Sequence, residues 1–330
     1  MLTPRENLLE MLRGGKPDRY PNQYEAFNLQ WCTSPNDMRY PQPEYGGDPM
    51  PNPWGVTFAW PEGTPGPFPV HDDEHTVLKD IENWRDYVKM PDMNFTEEEW
   101  AYIQGEAEKV DRKEQFVTAY IWPGLLENCH HLMSIEECMV AFYSNPDEMH
   151  ELIDFLTEYE LRIAEMVCDR IHPGALFRHD DWGPQKSTFM SKAMFDEFFL
   201  EPTKKIYQYW RSRGVEVIVH HSDSYCETFV PEMIEMGIDI WQGALTTNDI
   251  PKILSENAGK FAIMGAIDNG RVDREDWTQE KITEEVRRVC QWAGTKGLIP
   301  CTTAGAPFTS FEGVYEAVSA AIDTVSQEMF

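Results

Sequence analysis

The segment Val219-His220-His221-Ser222-Asp223-Ser224-Tyr225-Cys226 holds the densest set of groups in this chain that could do chemistry. It closes an apolar run, EVIVHHSD, that reads as a strand. Adjacent residues on a strand point to opposite faces, so only one of the two histidines shares a face with the residue two positions on. His221 and Asp223 form such an H-x-D pair, and an imidazole nitrogen with a carboxylate oxygen can hold a divalent metal. The same two residues also fit a hydrogen-bonded core histidine followed by a helix-capping aspartate. Cys301 follows Leu298, Ile299 and Pro300 at the end of a second apolar run and precedes the turn-rich Thr302-Thr303-Ala304-Gly305-Ala306-Pro307. If both runs end at one face, His221, Asp223 and Cys301 make a three-donor set suited to zinc with an open fourth position. The other reading of Cys301 is a small buried hydrophobe, as for Cys138, Cys168 and Cys290 on their helices. Cys226 is read as the start of the helix that follows.

The remaining apolar runs also end on polar residues. His179-Asp180-Asp181-Trp182-Gly183 closes the run from Ala175, Gln242 closes IDIWQ, and Asp268 with Asn269 closes FAIMGAID. Each alone fits a cap or turn, where Asp and Asn are favoured. Together they describe a polar pocket in which Asp180 or Asp181 is the acid expected to contact a substrate. Glu127, beyond the run that ends at Trp122, is a further substrate contact or a fourth metal ligand. His130 and His131 are read as structural residues of a helix.

These residues meet only if the elements that carry them run in the same direction. From residue 116 onward, apolar runs begin near Phe116, Ala175, Glu216, Ile238, Phe261 and Leu298. The shortest intervals, 22 and 23 residues, leave room for one strand, one crossover helix and two short loops, which predicts parallel neighbours. Runs that are apolar on both faces and polar at the C-terminal end are what strands of an α/β barrel look like. Between them, Asn145 and Pro146 start a helix carrying Met149, Leu152, Ile153, Leu156 and Ile163 at helical spacing, with Gly174 beyond its end. Another helix is predicted over 279–293, stopped by Gly294, and a last one from near Ser310.

Between Pro41 and Pro69 the composition changes to Pro and Gly interleaved with Tyr45, Trp54, Phe58, Trp60 and Phe68. A flexible linker would not normally carry so many large rings. The stretch is expected to be an ordered excursion folded over one end of the barrel. A first strand near Pro21 to Phe27 and one more in or beside the excursion bring the count to about eight. The expected fold is α/β, a (β/α)8 TIM barrel, with residues 1–330 as one domain.

Fifty-seven acidic against 28 basic side chains give a net charge of −29, which argues against a basic nucleic-acid face or an anionic membrane as partner. With 42% hydrophobic and 12% aromatic residues the chain has enough burial potential to fold despite that charge. No window approaches the roughly 18 apolar residues of a membrane span, and Met1 to Tyr20 lacks a signal-peptide core. The seven scattered cysteines read as reduced thiols in a cytoplasm. GxGxxG after a strand, GxxxxGK[ST], GxSxG and HExxH are absent from the sequence, which removes the usual nucleotide, acyl-serine and zincin scaffolds.

With these residues in view, the chain resembles the uroporphyrinogen decarboxylase superfamily, in its branch of zinc- and corrinoid-dependent methyltransferases. Leu2-Thr3-Pro4-Arg5-Glu6 and Gly15-Lys16-Pro17-Asp18-Arg19-Tyr20-Pro21 are similar to that family's opening. His221-Ser222-Asp223-Ser224 resembles its H-x-C-G or H-S-D-G segment, and Gly297 to Cys301 its C-terminal cysteine loop. The resemblance implies a barrel whose mouth binds zinc and receives a corrinoid carried by a separate protein. Two departures matter. The arginine-rich R-Q-A-G-R signature and the G-G-P-F-T loop of the decarboxylases are replaced by Tyr24-Glu25-Ala26-Phe27 and Pro123-Gly124-Leu125-Leu126-Glu127, which disfavours a substrate with eight carboxylates. Asp223 stands where thiol-methylating members carry cysteine, and oxygen in place of sulfur leaves the metal a stronger Lewis acid.

The resulting expectation is a methyltransferase that demethylates a methoxylated small-molecule donor, aromatic ones included, and hands the methyl to the cobalt of a corrinoid protein. His221, Asp223 and Cys301 would hold zinc, and Asp180, Asp181 or Glu127 would contact or protonate the leaving oxygen. Tyr24, Trp54, Trp182, Gln242 and Asp268 would line the substrate. The alternatives are methyl transfer from methylcorrinoid to a thiol or pterin, a uroporphyrinogen-type decarboxylase, and a non-catalytic tetrapyrrole-binding protein.

Overall fold

The computed structural model describes residues 1–64, 66–303 and 310–330. Seven strands form one parallel sheet: β1 (Phe27–Gln30), β5 (Phe116–Ile121), β6 (Ala175–His179), β7 (Val217–His221), β8 (Ile240–Ala244), β9 (Ala262–Ile267) and β10 (Leu298–Thr302), neighbours in that order. Six of the seven fall where the apolar runs predict them, and all pair in parallel. The first does not. It lies at Phe27–Gln30 rather than near Pro21 to Phe27, and pairs with β5 from Phe27 opposite Phe116.

The expected eighth strand is not part of this sheet among the described residues. Residues from the 41–69 stretch instead form a separate antiparallel sheet of β2 (Met50–Pro51), β3 (Thr57–Ala59) and β4 (Phe68–Pro69). Trp54 from this region packs edge-on against Phe155 and Tyr159 of the helix Pro146–Ile171, and Phe58 against Trp122 and His131.

Strand alternation separates two apolar clusters. One gathers Phe27, Phe116, Phe177, Val219, Ile240, Met264, Ile299 and Cys301, with members from all seven parallel strands including both edges. That sharing requires the sheet to curl round upon this cluster. Ile218, Trp241 and Ile263 point the other way, into the larger cluster beneath the helices. Between β10 and β1, residues ahead of β1 tie to the last helix, Val314–Met329: the Tyr20 amide donates to Ser326 Oγ (3.1 Å), and Gln23 Nε2 to Ser319 Oγ (2.8 Å).

The helices follow their sequence signals. Pro146–Ile171 opens on proline at its first turn and buries Met149, Leu152, Ile153, Leu156 and Ile163, each worth roughly 1.5–3 kcal/mol of transfer free energy when fully covered. Gln279–Ala293 stops at Gly294 (φ +78°), and the last helix begins at Val314 rather than near Ser310. No helix of the described residues is long and apolar enough to cross a membrane.

Candidate functional site

The chemistry-bearing side chains gather where β6 and β7 end. His179 and His221 are the last residues of these adjacent strands and stand opposite each other in the parallel register. Both continue the inward alternation of Ala175 and Phe177, and of Val217 and Val219. Their rings stack 4.2 Å apart at 21°, above the ring of Phe177, 6.0 Å from that of His221. Each is followed two residues later by an aspartate, so the chain carries H-x-D twice at neighbouring strand ends. His179, Asp181 and His221 each offer a donor atom, all within 4.8 Å of one another.

Further contacts lock this arrangement. His179 Nδ1 lies 2.9 Å from Glu127 Oε2, on the helix Leu125–Met133 that follows β5. His221 Nδ1 is hydrogen-bonded to Oε1 of the buried Gln242, and its Nε2 is 3.8 Å from Asp181 Oδ1. The Asp223 amide donates to that same Oδ1 (3.0 Å), joining the two H-x-D loops. Gly243, at φ +92°, makes a bulge in β8 close beside the second loop, and a Cβ there would lie 3.0 Å from Asp223 N and Ser222 O.

Burial and crowding of like charges set the electrostatics. Burial, then the charges of Asp181 and Asp180, push the Glu127 carboxyl well above the usual carboxylate range. Burial and Asp181 raise Asp223 to about 6. The His221 imidazole is lowered by burial and by His179, which favours the neutral ring.

Of the three residues expected to hold a metal, only His221 is in this close group. The Asp223 carboxyl lies beside it, within the electrostatic reach of Asp181, His221 and Glu127. Cys301 is fully buried on β10 in the inner apolar cluster, its thiol pushed up to about 12 by burial and in contact with the Gln242 side chain. Gln242 therefore contacts both Cys301 and His221. Of the turn after Cys301, residues Ala304 to Pro307 lie outside the described residues.

The expectations for Asp180 and Trp182 need correction, and each of the other expected residues has its own surroundings. Asp180 does not face the mouth. Its carboxylate accepts the amides of Leu126 (3.3 Å) and Glu127 (3.0 Å) at the start of their helix, and pairs with buried Arg178 (3.4 Å), which Glu160 also holds. Alternation explains this, because Asp180 falls on the face opposite His179 and Asp181. Trp182 lies on that outer side as well, fully buried with its ring 3.9 Å from that of His220. Trp54 is a packing residue of the small-sheet region, and Asp268 caps the short helix Asn269–Val272 through the Gly270 amide. Tyr24 is half-buried against the inner cluster, its ring 6.1 Å from that of Phe177, and Gln242 orients His221. His130 and His131 lie buried on the helix Leu125–Met133.

Sequence reading passes over His179 as a donor, although the repeated H-x-D at two predicted strand ends is a signal for it. Arg178 and Glu160, the buried pair behind the site, have no comparable signature.

Residues 124–325 match the family model described as uroporphyrinogen decarboxylase (URO-D). A methyltransferase from Methanosarcina mazei shares the fold, with a TM-score of 0.68 at 15% identity over 98% of this chain and 99% of that one. A B12-independent methionine synthase from Shewanella sp. W3-18-1 aligns less well, with a TM-score of 0.41 at 13% identity over 69% of this chain and 65% of the other. No curated protein matches the sequence at a significant level. The family model spans more than half of the chain, from the turn before Glu127 to the last helix, and takes in His179, Asp181, His221, Gln242 and Cys301, so this protein belongs to the uroporphyrinogen decarboxylase (URO-D) family.

Proposed function

We propose that the protein is a methyltransferase that takes a methyl group from a methyl ether, with methoxylated aromatics as the leading class. The acceptor is the cobalt of a corrinoid carried by a separate protein, and zinc sits at the mouth formed by β6 and β7. The observation that carries this reading is the gathering of two imidazoles and a carboxylate, with Glu127 and Asp223 beside them, at one set of strand ends. The fold shared with the Methanosarcina methyltransferase supports it.

Zinc bound there would serve as a Lewis acid on the ether oxygen. The corrinoid would supply a cobalt(I) nucleophile to accept the methyl group, which would leave the C–O bonding pair on the ether oxygen for that oxygen to take up a proton. The rest is the work of this chain. Glu127 and Gln242 fix the two imidazoles by their Nδ1 atoms. Phe177, with Tyr24 and Tyr120 packed against it, makes an apolar floor beneath them that excludes water from that side. Asp223, half-buried and bound through its amide to Asp181, is the carboxyl positioned to meet the leaving oxygen. A polycarboxylate substrate is disfavoured, because carboxylates crowd this mouth and Arg178 beside it is taken up by Glu160 and Asp180.

The test is a panel of methyl ethers mixed with the purified protein, zinc and a matched corrinoid protein in the cobalt(I) state. Methyl-cobalt absorbance should grow in with at least one ether and not without this protein. A flat absorbance across aromatic and aliphatic ethers alike would remove the reading.

A further inference from the structure

We infer that the metal at this mouth is held by His179, Asp181 and His221, through nitrogen and oxygen alone, and that Cys301 is not a ligand. The inference rests on the reading above only in that the mouth binds a divalent metal.

Three observations carry it. Ligand atoms bound about 2.1 Å from one ion stand at most about 4.2 Å apart, so donors already within 4.8 Å need only small side-chain movements to share one. The two imidazoles also carry the outer contacts of metal-bound histidines. A ligating histidine usually anchors its second ring nitrogen on a carboxylate or carbonyl oxygen. Here His179 Nδ1 meets Glu127 Oε2 at 2.9 Å, and His221 Nδ1 meets Gln242 Oε1. Nε2 is then the donor left to each ring, and on His221 it already faces Asp181 Oδ1 at 3.8 Å. The third observation concerns the thiol. Cys301 is fully buried in the inner apolar cluster with its thiol on the Gln242 side chain, and its sulfur is not among the donor atoms gathered within 4.8 Å of one another. The same Gln242 side chain meets His221 Nδ1, so a sulfur drawn to the ion would leave its contact with the residue that orients that histidine.

Glu127 and Gln242 are thus positioning residues, acting through the imidazoles, and the Asp223 carboxyl lies within electrostatic reach of the donor set. Imidazole and carboxylate donors without sulfur form a harder site, which accepts cobalt(II) or manganese(II) as well as zinc.

The full-length protein, stripped with a chelator, is titrated with cobalt(II) and with zinc. Metal content and the cobalt absorption spectrum are read beside those of His179→Gln, Asp181→Asn, His221→Gln and Cys301→Ala. About one metal per chain is expected, with no thiolate-to-cobalt charge-transfer band in the near ultraviolet. His179→Gln and Asp181→Asn should weaken binding by more than the roughly 10–100-fold that loss of an outer contact costs, and Cys301→Ala should leave it unchanged. A charge-transfer band in the wild type, or metal lost from Cys301→Ala but kept by His179→Gln, would overturn the assignment. So would a wild type that binds no metal. The spectrum needs no variant to fold, and none of these readouts depends on methyl transfer. A failed ether panel with a sulfur-free bound metal removes the proposed activity alone, and turnover with a thiolate-bound metal removes the ligand assignment alone.

Discussion

Glu127 Oε2 and His179 Nδ1 lie 2.9 Å apart and tie the helix after β5 to the last residue of β6. The contact fixes both the plane of the imidazole and the nitrogen it turns to the mouth. Loss of such an outer partner typically costs about 10–100-fold in metal affinity. Glu127→Ala should therefore weaken zinc binding by about that factor in competition with a chelating dye. Glu127→Gln keeps an oxygen acceptor in place and should recover most of it. Equal affinity in all three proteins would show that Glu127 does not orient His179.

Behind that contact, Arg178 spans Glu160, at 2.7 and 3.0 Å, and Asp180, at 3.4 Å, with its own side chain fully buried. Removing one partner of a buried ionic group leaves the others uncompensated and costs about 3–5 kcal/mol. Arg178→Met should lose stability on that scale in urea unfolding at neutral pH. Asp180→Asn, which keeps one carbonyl acceptor for the helix amides, should lose about 1–3 kcal/mol. If Arg178→Met unfolds at the same urea concentration as wild type, the pair is not buried as described.

Gly124 precedes the helix that carries Glu127, and a Cβ there would fall 2.3 Å from Asp180 Cβ and 2.4 Å from its Cγ. Asp180 cannot withdraw without releasing the Leu126 and Glu127 amides and Arg178. Gly124→Ala should cost about 1–3 kcal/mol, the usual range for overpacking, and should weaken metal binding by displacing Glu127. In an Asp180→Gly background the obstructing atoms are gone, so the same substitution should cost markedly less. Additive losses in the double variant would mean that the two residues are not in contact.

How far the site could be read in the sequence follows from strand alternation. The six runs from Phe116 onward are legible because a parallel strand covered on both faces is a short apolar run with a polar end. β1 reads FNLQ, with Asn28 and Gln30 inside the strand, and so carries no such run. β2, β3 and β4 are two or three residues each in a Pro- and Gly-rich stretch, too short for any period to register. Alternation picks His221 over His220, and the structure agrees: His220 points outward to Tyr207 Oη at 2.7 Å. Applied equally to His179, Asp180 and Asp181, it would have selected the first and third and sent Asp180 and Trp182 outward. The place of Cys301 was not legible, because it depends on Gln242, a residue of another strand that contacts both the thiol and His221.

Next to the site, His130 packs its ring 4.7 Å from that of His131 and 6.4 Å from that of Phe189, and among the described residues its buried Nδ1 has no hydrogen-bond partner. Burial, then His71, lowers its pKa to about 4, against about 6.5 in an unfolded chain. Between those values the unfolded state binds the extra proton and the folded state does not, so stability rises with pH there. The contribution is fully present above about pH 6.5 and is lost as pH falls towards 4, by up to about 3 kcal/mol for a shift of this size. His131 is lowered by burial and by its neighbours and acts in the same direction. His130→Phe keeps a ring of similar size and removes the proton site. Urea unfolding at about pH 7 and about pH 5 should therefore show the variant gaining on wild type by about 1–3 kcal/mol at the lower pH. An identical pH dependence in the two proteins would mean that His130 takes up its proton in the folded state as readily as in the unfolded one.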